Sequence, residues 1–181
     1  MAATPYVSVV LACYNEEEVL ERSVAEIRDV LDELRRPWEI VFVDDVSRDR
    51  TREIIARLVG DDPERARAIL HEKNRGRGAT VTDGFRAARG EIAGYLDVDL
   101  EVHARYIPSL VKAIEKGADV ATVRRIYAFQ LRYVNRWLMS CGYSWLVRRL
   151  LRVRLHDTET GYKFFRRATV LPLLDGIGDG G

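Results

Sequence analysis

Short apolar runs alternate with amphipathic stretches over the first hundred residues of the chain. The first run, Tyr6–Cys13, is almost wholly apolar and rich in valine, which is typical of a central strand buried on both faces of a parallel sheet. Similar runs predict three more strands, at Glu39–Val43, Arg67–His71 and Ile92–Leu96. Helical spacing of apolar residues predicts the intervening helices Glu16–Leu34, Asp49–Leu58 and Ala79–Ala88, with Asn15 as the cap of the first. The pattern therefore predicts an α/β fold, an open and mostly parallel sheet with helices on both faces.

Polar and acidic residues follow every predicted strand. In open α/β sheets, ligands bind in the crevice outside the carboxyl ends of the strands, so these residues are the candidates for chemistry. Asp97 and Asp99 follow the fourth strand, and a D-x-D pair at a sheet end suits a divalent cation that keeps positions open for phosphate. Glu101 would add a third oxygen. The alternative is a solvated acidic turn, but a second acidic pair, Asp44-Asp45, ends the neighbouring strand and favours a ligand site.

The turn after the first strand excludes two common nucleotide sites. It reads Ala-Cys-Tyr-Asn-Glu-Glu-Glu, without the glycines of a dinucleotide fingerprint, and the chain has no P-loop motif. NAD, FAD and P-loop nucleotide hydrolysis are therefore disfavoured. Tyr14 in this turn would stack on a base or simply pack. The run Arg75-Gly76-Arg77-Gly78 before the third helix is either an anion-binding nest or a flexible loop.

Charge is unevenly distributed along the chain. The 181 residues carry 29 Lys and Arg against 28 Asp and Glu, a net charge of +1, and are 47% hydrophobic, as in one ordinary globular domain. Eight arginines and no acid lie within 124–154, which leaves 21 basic against 28 acidic residues elsewhere. Six aromatic residues are interleaved with these arginines over 126–155, a stretch predicted to be helical. Such a basic aromatic segment fits an anionic membrane surface, the alternative being a helix packed on the sheet with a solvated arginine face.

Several classes are disfavoured by what the chain lacks. No apolar run approaches the roughly 18–20 residues of a spanning helix, and no secretory signal is present. Cys13 and Cys141 lie far apart, which suggests neither a disulfide nor a zinc site. Nucleic acid is not expected as a partner, because the acidic crevice would repel its phosphates. A cytoplasmic location is expected, peripheral on the cytoplasmic face of the membrane.

Five segments in the right order carry a family resemblance over essentially the whole chain. They are VSVVLACYNEEE (7–18), EIVFVDDVSRDRT (39–51), NRGRGAT (74–80), GEIAGYLDVDLEV (90–102) and DTETGYKFFRR (157–167). This set resembles the family 2 glycosyltransferases of the GT-A fold, a Rossmann-like architecture. Within that family the chain looks most like the dolichyl- or polyprenyl-phosphate sugar synthases. The resemblance implies an inverting, metal-dependent hexosyltransferase.

The resemblance also implies roles for residues at matching positions. The expected nucleotide-sugar contacts are Tyr14, Glu16, Asp44 or Asp45, and Asp97. Mg²⁺ or Mn²⁺ would be held by Asp97, Asp99 and Glu101. Residues expected at the reacting phosphates are Asp99, Arg125, whose neighbour Arg124 is an alternative, and Lys163. Lys163, Arg166 and Arg167 would hold an acceptor phosphate. Val46 departs from the family, which usually has a small residue at this position.

These expectations give one domain with three parts. Residues 1–123 would form the nucleotide-sugar-binding core, 124–175 the acceptor and membrane side, and 176–181 a glycine-rich tail. The expected partners are a GDP- or UDP-linked sugar, a polyprenyl phosphate acceptor, an anionic membrane surface and a membrane-protein partner. The alternatives are a truncated or non-catalytic nucleotide-sugar-binding domain and a receiver-like regulatory domain.

Overall fold

The computed structural model of the chain describes residues 4–123 and 161–175. Its strands are β1 Val7–Cys13, β2 Trp38–Asp44, β3 Ala66–Leu70, β4 Ile92–Leu96, β5 Val120–Thr122 and β6 Tyr162–Arg166. Its helices are α1 Leu20–Glu33, α2 Thr51–Asp61, α3 Gly76–Ala87, α4 Ile107–Glu115 and α5 Arg167–Asp175, with a 3₁₀ turn at Ala104–Tyr106. All these elements belong to one compact unit. No helix in the two described ranges is long and apolar enough to span a bilayer.

The six strands form one sheet in the order β3-β2-β1-β4-β6-β5. Strands β1 to β4 are parallel, and β6 runs antiparallel to both β4 and β5. In the centre, Leu11 of β1 is aligned with Phe42 of β2 and with Leu96 of β4. These three side chains are fully or almost fully buried, as expected for strands covered on both faces. The predicted mostly parallel α/β sheet is therefore confirmed.

Helices α3 and α5 cover one face of the sheet through a shared apolar cluster. Phe85 of α3 makes edge-to-face contacts with Tyr95 of β4, at 6.2 Å between ring centroids, and with Phe165 of β6, at 5.4 Å. Val170 and Leu174 of α5 pack into the same cluster. Edge-to-face aromatic pairs add about 0.5–1.5 kcal/mol each to the free energy of burial. This packing fixes the position of α3, whose amino end lies at the candidate site.

Some predicted boundaries are wrong. The first helix begins at Leu20 rather than Glu16, and Asn15 does not cap it. Asn15 instead has a positive φ of 58°, and its Oδ1 accepts a hydrogen bond from the Arg48 amide at 2.8 Å. The third helix begins at Gly76, three residues before the predicted Ala79. In both places a polar turn binds another loop, a long-range contact that local propensity does not encode.

The carboxyl-terminal part of the sheet was not predicted. The YKFFR portion of the GYKFFRR motif forms β6, inserted between β4 and β5, and α5 follows it directly. The predicted helix over 126–155 and the glycine-rich tail 176–181 lie outside the described residues. The division of the chain at residue 123 stays a prediction.

Candidate functional site

The D-x-D pair lies at the carboxyl end of β4, as the sequence predicts. The amide of Asp97 donates to the carbonyl of Gly161 at 3.0 Å, and its side chain is 28% exposed. Leu100, in the following turn, has a positive φ of 50°. The exposed Asp99 accepts a hydrogen bond at Oδ1 from the Glu101 amide, at 3.1 Å. The turn therefore presents two carboxylates from one strand end.

Glu16, in the turn after β1, shares the electrostatic environment of this pair. Burial raises the pKa of Glu16, and the negative charges of Asp99 and Asp49 raise it further, whereas Arg77 lowers it. Glu16 is therefore repelled by carboxylates from two other segments of the chain. Such repulsion disfavours the charged form of Glu16, and a bound cation would relieve it.

Two residues contact the Asp97 carboxylate directly. Arg77, near the amino end of α3, forms an ion pair with Oδ1 of Asp97. Gly161, just before β6, lies so close that a Cβ at this position would overlap all three atoms of the carboxylate group. The Asp97 carboxylate therefore lies between the guanidinium of Arg77 and the backbone of Gly161, which has no side chain.

Asp44, the last residue of β2, is completely buried. Its Oδ2 accepts from the amides of Val46 and Ser47, both at 3.1 Å, and from Nε of Arg52 at 2.5 Å. Its Oδ1 is buried and accepts no hydrogen bond from any described residue. A buried acceptor without a partner costs about 1–3 kcal/mol. One oxygen of Asp44 is thus satisfied by the turn, and the other is not.

The turn after Asp44 explains why a small residue is usual at position 46. Val46 has a φ of 67°, in the left-handed region that a β-branched residue rarely adopts. Backbone strain of this kind costs about 1–3 kcal/mol. The Asp44 bonds to the Val46 and Ser47 amides hold the turn in this conformation.

Asp45 serves as an anchor for the start of α3. Its carboxylate accepts from Nδ1 of His71 and from the amides of Arg75 and Gly76, each at 2.8 Å. Burial alone would raise the pKa of Asp45, but these hydrogen bonds lower it overall. The other ring nitrogen of His71, Nε2, faces Asp83 of α3 at 3.2 Å. Both oxygens of Asp45 are therefore used within the protein.

The structure brings together some of the predicted residues and separates others. Asp97, Asp99 and Glu16 lie together, and Tyr14, two residues before Glu16, is 46% exposed. Within the described ranges no three acidic, His or Cys side chains converge closely enough to hold a metal, so the ligand set Asp97, Asp99 and Glu101 stays a prediction. Arg125 lies outside the described residues.

The cations of the GYKFFRR motif do not share one place. Because β6 is antiparallel to β4, Tyr162 is aligned with Leu96, next to the D-x-D pair, and Lys163 with Tyr95. Arg166 is aligned with Ile92, at the opposite end of β4, and donates to the carbonyl of Ile114 at 2.6 Å. At about 3.3 Å per residue, four residues of strand separate the two ends by roughly 13 Å. The expectation that Lys163, Arg166 and Arg167 hold one phosphate is therefore wrong for the two arginines.

Sequence reasoning missed three contributors to the site, namely His71, Arg77 as the partner of Asp97, and Gly161. Each acts through a contact between segments distant in sequence. The only available signals were a polar strand end for His71 and the Arg-Gly repeat for Arg77.

Solved structures with this architecture are glycosyltransferases of the GT-A type. The glucosyl-3-phosphoglycerate synthase of Mycobacterium tuberculosis, solved with Mn²⁺, UDP and phosphoglyceric acid, matches with a TM-score of 0.67 and 24% identity, over 91% of this chain and 56% of that one. A mannosyltransferase of Pyrobaculum calidifontis, solved with GDP-Man and Mn²⁺, matches with a TM-score of 0.61 and 23% identity, over 97% of this chain and 47% of that one. These likenesses establish the fold.

Sequence comparison then assigns the family. The profile described as Glycosyl transferase family 2 matches residues 8–171, and the chain belongs to this family. It is 34% identical to glycosyltransferase AglD of Haloferax volcanii over 98% of this chain and 29% of that protein. It is 33% identical to the undecaprenyl-phosphate 4-deoxy-4-formamido-L-arabinose transferase of Pectobacterium atrosepticum over 93% of this chain and 51% of that protein.

The predicted family and GT-A fold are confirmed, and the receiver-like alternative is wrong. The chain spans less than a third of the archaeal relative and about half of the bacterial one.

Proposed function

We propose that this chain transfers a sugar from a nucleotide-diphosphate sugar to a polyprenyl phosphate, with a divalent cation and with inversion at the anomeric carbon. The observation that carries the proposal is the cluster of acidic residues at the carboxyl end of the sheet. Asp97 and Asp99 follow β4 there, and the negative charges of Asp99 and Asp49 raise the pKa of the nearby Glu16. The family and the substrates named for two groups of relatives support the same reaction.

The donor would bind across the ends of β1, β2 and β4. The exposed ring of Tyr14 is available to stack on a base. Of the two aspartates after β2, Asp44 keeps an unsatisfied oxygen, whereas Asp45 is occupied by the start of α3. Asp44 is therefore the better candidate for a base or ribose contact, after a rearrangement that exposes it. The UDP and GDP-Man of the solved neighbours support a uridine- or guanosine-linked donor.

The donor set at the D-x-D turn fits a hard divalent cation. Carboxylate oxygens are the ligands that Mg²⁺ and Mn²⁺ prefer, and the repulsion of Glu16 by Asp99 and Asp49 favours a bound positive charge nearby. Asp97 and Asp99 would hold the ion, and Glu101 would add an oxygen directly or through water. The ion would supply charge neutralisation for the departing diphosphate. The Mn²⁺ in two neighbours supports this, and Mg²⁺ remains an equal candidate.

The acceptor chemistry favours a phosphate over a sugar hydroxyl. A phosphate monoester has its second pKa near about 6, so it is largely dianionic at neutral pH and needs positioning rather than a general base. Attack opposite the departing diphosphate gives inversion. Lys163 on β6 and Arg125 are the expected phosphate contacts. The basic aromatic stretch would bring the chain to an anionic membrane surface, where the lipid tail of the acceptor resides.

A transfer assay with the 181-residue chain tests the proposal. UDP- and GDP-linked sugars are offered with undecaprenyl phosphate in detergent, and with Mg²⁺, Mn²⁺ or a chelator. We expect lipid-linked sugar with the metals and none with the chelator. Asp99→Asn should lower turnover about 100- to 1,000-fold, the size of effect seen when a group that stabilises transition-state charge is removed. Asp61→Asn, on the exposed end of α2, is the matched control and should keep full turnover.

Two results would contradict the proposal. Undiminished transfer by Asp99→Asn would remove the D-x-D pair from the chemistry. Donor binding in calorimetry without transfer to any acceptor would instead support the alternative of a non-catalytic nucleotide-sugar-binding domain.

A further inference from the structure

We propose that Arg77 is a built-in counter-ion of the D-x-D pair, which competes with the metal when no nucleotide is bound and moves to the donor diphosphate when it arrives. The inference rests on the proposed function, because it concerns how the same site is regulated. It predicts that the site holds metal weakly alone and tightly together with a nucleoside diphosphate.

Arg77 forms an ion pair with the first aspartate of the D-x-D pair. The guanidinium of Arg77 contacts Oδ1 of Asp97, an atom that metal binding at the D-x-D pair would use. The same guanidinium lowers the pKa of Glu16 against the effects of Asp99 and Asp49. One arginine therefore partly neutralises two carboxylates of this acidic group, those of Asp97 and Glu16. A metal ion entering this group would have to displace Arg77 or share Asp97 with it.

Other arginines close in sequence to the site are committed to different carboxylates. Arg50 pairs with Glu17, with Nε and Oε2 3.2 Å apart, and Arg52 pairs with the buried Asp44. Arg75 pairs with Asp83. Within the described ranges, Arg77 is the arginine whose ion pair is made with the D-x-D motif. The position of Arg77, rather than the total charge of residues 75–78, therefore determines that it pairs with the D-x-D motif.

The guanidinium of Arg77 can move while the backbone just before Arg77 is held in place. Gly76 has a φ of 78°, and a Cβ placed on Gly76 or on Gly78 would meet no atom within 4 Å, so both flanks face open space. The Arg77 side chain is 61% exposed. Just before it, Asp45 holds the amides of Arg75 and Gly76 at 2.8 Å. The guanidinium can therefore swing about an anchored base.

A diphosphate carries more than one negative charge and therefore attracts the guanidinium of Arg77 more strongly than the single carboxylate of Asp97 does. Guanidinium groups bind phosphate oxygens in a bidentate manner, with two parallel charge-assisted hydrogen bonds. When the diphosphate arrives, Arg77 can leave Asp97, which becomes free for the metal bound to the same diphosphate. The donor and the metal would then bind together, whereas metal without a donor would bind the site only weakly.

Manganese binding without nucleotide is the direct test, because it needs no catalysis. The free Mn²⁺ signal is followed by electron paramagnetic resonance as the chain is titrated. We expect Arg77→Gln to bind Mn²⁺ about two- to tenfold more tightly than the unaltered chain, since an exposed ion pair is worth about 0.2–1 kcal/mol and the removed positive charge also repelled the ion. Arg77→Lys keeps the charge and should fall between the two.

The control variant is Arg57→Gln, which removes the same charge from an arginine of similar exposure, 53%, paired with Glu21 outside the site. It should bind Mn²⁺ as the unaltered chain does. Equal Mn²⁺ affinity of Arg77→Gln and Arg57→Gln would overturn the proposal. Circular dichroism should show that both variants are folded.

Calorimetry with UDP and GDP at saturating Mn²⁺ tests the second half of the proposal. The order of affinities should be opposite to that for Mn²⁺ alone. Arg77→Gln should bind the preferred nucleotide at least about tenfold more weakly than the unaltered chain does, because it lacks the arginine contact to the diphosphate. Undiminished nucleotide affinity of Arg77→Gln would overturn the transfer of Arg77 to the diphosphate. If the unaltered chain binds no Mn²⁺ even with both nucleotides, the proposed function loses its metal site, and this inference falls with it.

Discussion

Glu39, at the amino end of the central sheet, and the acidic group of Glu16, Asp97 and Asp99, at the carboxyl end, have opposite electrostatic surroundings. At the amino end, Glu39 of β2 is 1% exposed and is surrounded by donors. It accepts from Ser8 Oγ at 2.6 Å and from the Arg89 amide at 2.7 Å, and it pairs with the guanidinium groups of Arg67 and Arg89. Burial alone would raise the pKa of Glu39, but these donors lower it overall.

At the carboxyl ends of β1 and β4, the carboxylates proposed to bind the ligand have fewer donors than Glu39 has, unlike Asp44 and Asp45 at the end of β2, which are hydrogen-bonded within the protein. Glu16 has a raised pKa, Asp99 is exposed, and Asp97 shares Arg77 with the whole group. A carboxylate that holds the fold together is supplied with its own positive charge and hydrogen bonds. The carboxylates proposed to bind a ligand are left with fewer donors, as expected if the ligand brings the charge.

Removing the carboxylate of Glu39 should have the largest effect on the free energy of unfolding. Glu39→Ala leaves Arg67 and Arg89 without their shared partner and the Ser8 hydroxyl without its acceptor. Breaking a buried ion pair costs about 3–5 kcal/mol, and the partial exposure of both arginines places this one near about 3 kcal/mol. Urea denaturation measures the loss. Glu115→Ala, which removes an exposed partner of Arg36 at 4.0 Å, should cost less than about 1 kcal/mol.

Gly161 provides the corresponding test at the carboxyl end. In Gly161→Ala the new Cβ overlaps the Asp97 carboxylate, so Asp97 must turn away from the site. We expect sugar transfer to fall about 10- to 100-fold, since small misplacements of catalytic groups are costly. Gly60→Ala, where a Cβ meets nothing within 4 Å, should leave transfer unchanged and stabilise α2 by about 0.5–1 kcal/mol. Similar transfer rates for the two variants would contradict the account of Gly161.

His71 tests an intermediate case, Asp45, which lies at the carboxyl end of the sheet but is hydrogen-bonded within the protein and anchors α3. His71→Phe keeps the ring but removes the bonds to Asp45 and Asp83. Leaving buried acceptors with fewer donors should cost about 1–3 kcal/mol. Because the anchored segment carries Arg77, the KM for the donor should also rise more than kcat falls. His103→Phe, at an exposed ion pair with Glu26, should change neither kinetic constant.

The smallest expected effect is a difference in pH dependence between Glu39 and Glu16. The folded-state pKa of Glu39 lies below its ordinary 4.5, so its contribution to stability is present above that pH and is lost as the pH falls through the folded value. The folded-state pKa of Glu16 is raised, so the folded protein binds this proton more readily and loses stability as the pH rises from 4.5 through the folded value.

Denaturation at pH 7 and pH 4 separates the two carboxylates. Glu39→Gln should be destabilised at pH 7, with a smaller deficit at pH 4. Glu16→Gln should be slightly more stable than the unaltered chain at pH 7, by about 0.5 kcal/mol or less because solvent screens a partly exposed group. This advantage should shrink at pH 4. A loss of stability at pH 7 in Glu16→Gln would contradict the view that Glu16 is held in a repulsive site.

Sequence reasoning predicted the parts of the fold that depend on local pattern. All four parallel strands lie close to their predicted positions, and for β1, β2 and β4 the reason is that burial on both faces demands apolar runs. The edge strand β3 is only partly buried. Strand β6 was missed because YKFFR mixes charged and aromatic residues. Its alternation is explained only by its neighbours, with Tyr162 and Phe164 buried and Lys163 and Arg166 half-buried. An antiparallel strand that returns from far along the chain leaves little local signal.

The same limit applies to the candidate site. The D-x-D pair was predictable because it directly follows a strand, and strand ends converge at one edge of a parallel sheet. The occupation of Asp45 by the amides of Arg75 and Gly76 was not, because it joins residues 30 and 31 positions apart. Charge counting predicted an acidic crevice, but only the structure distinguishes the satisfied Asp45 from the repelled Glu16.

The pairing of β5 with β6 has a consequence for how such a chain can diversify. Thr122 and Lys163 are aligned neighbours, so the chain leaves the sheet and re-enters it at adjacent positions, one residue from the strand end beside Asp97. Because the two ends of the connection between β5 and β6 lie at neighbouring positions in the sheet, the β5–β6 pairing places no demand on the length of that connection. Chains that differ in this connection could therefore keep the same pairing of β5 with β6.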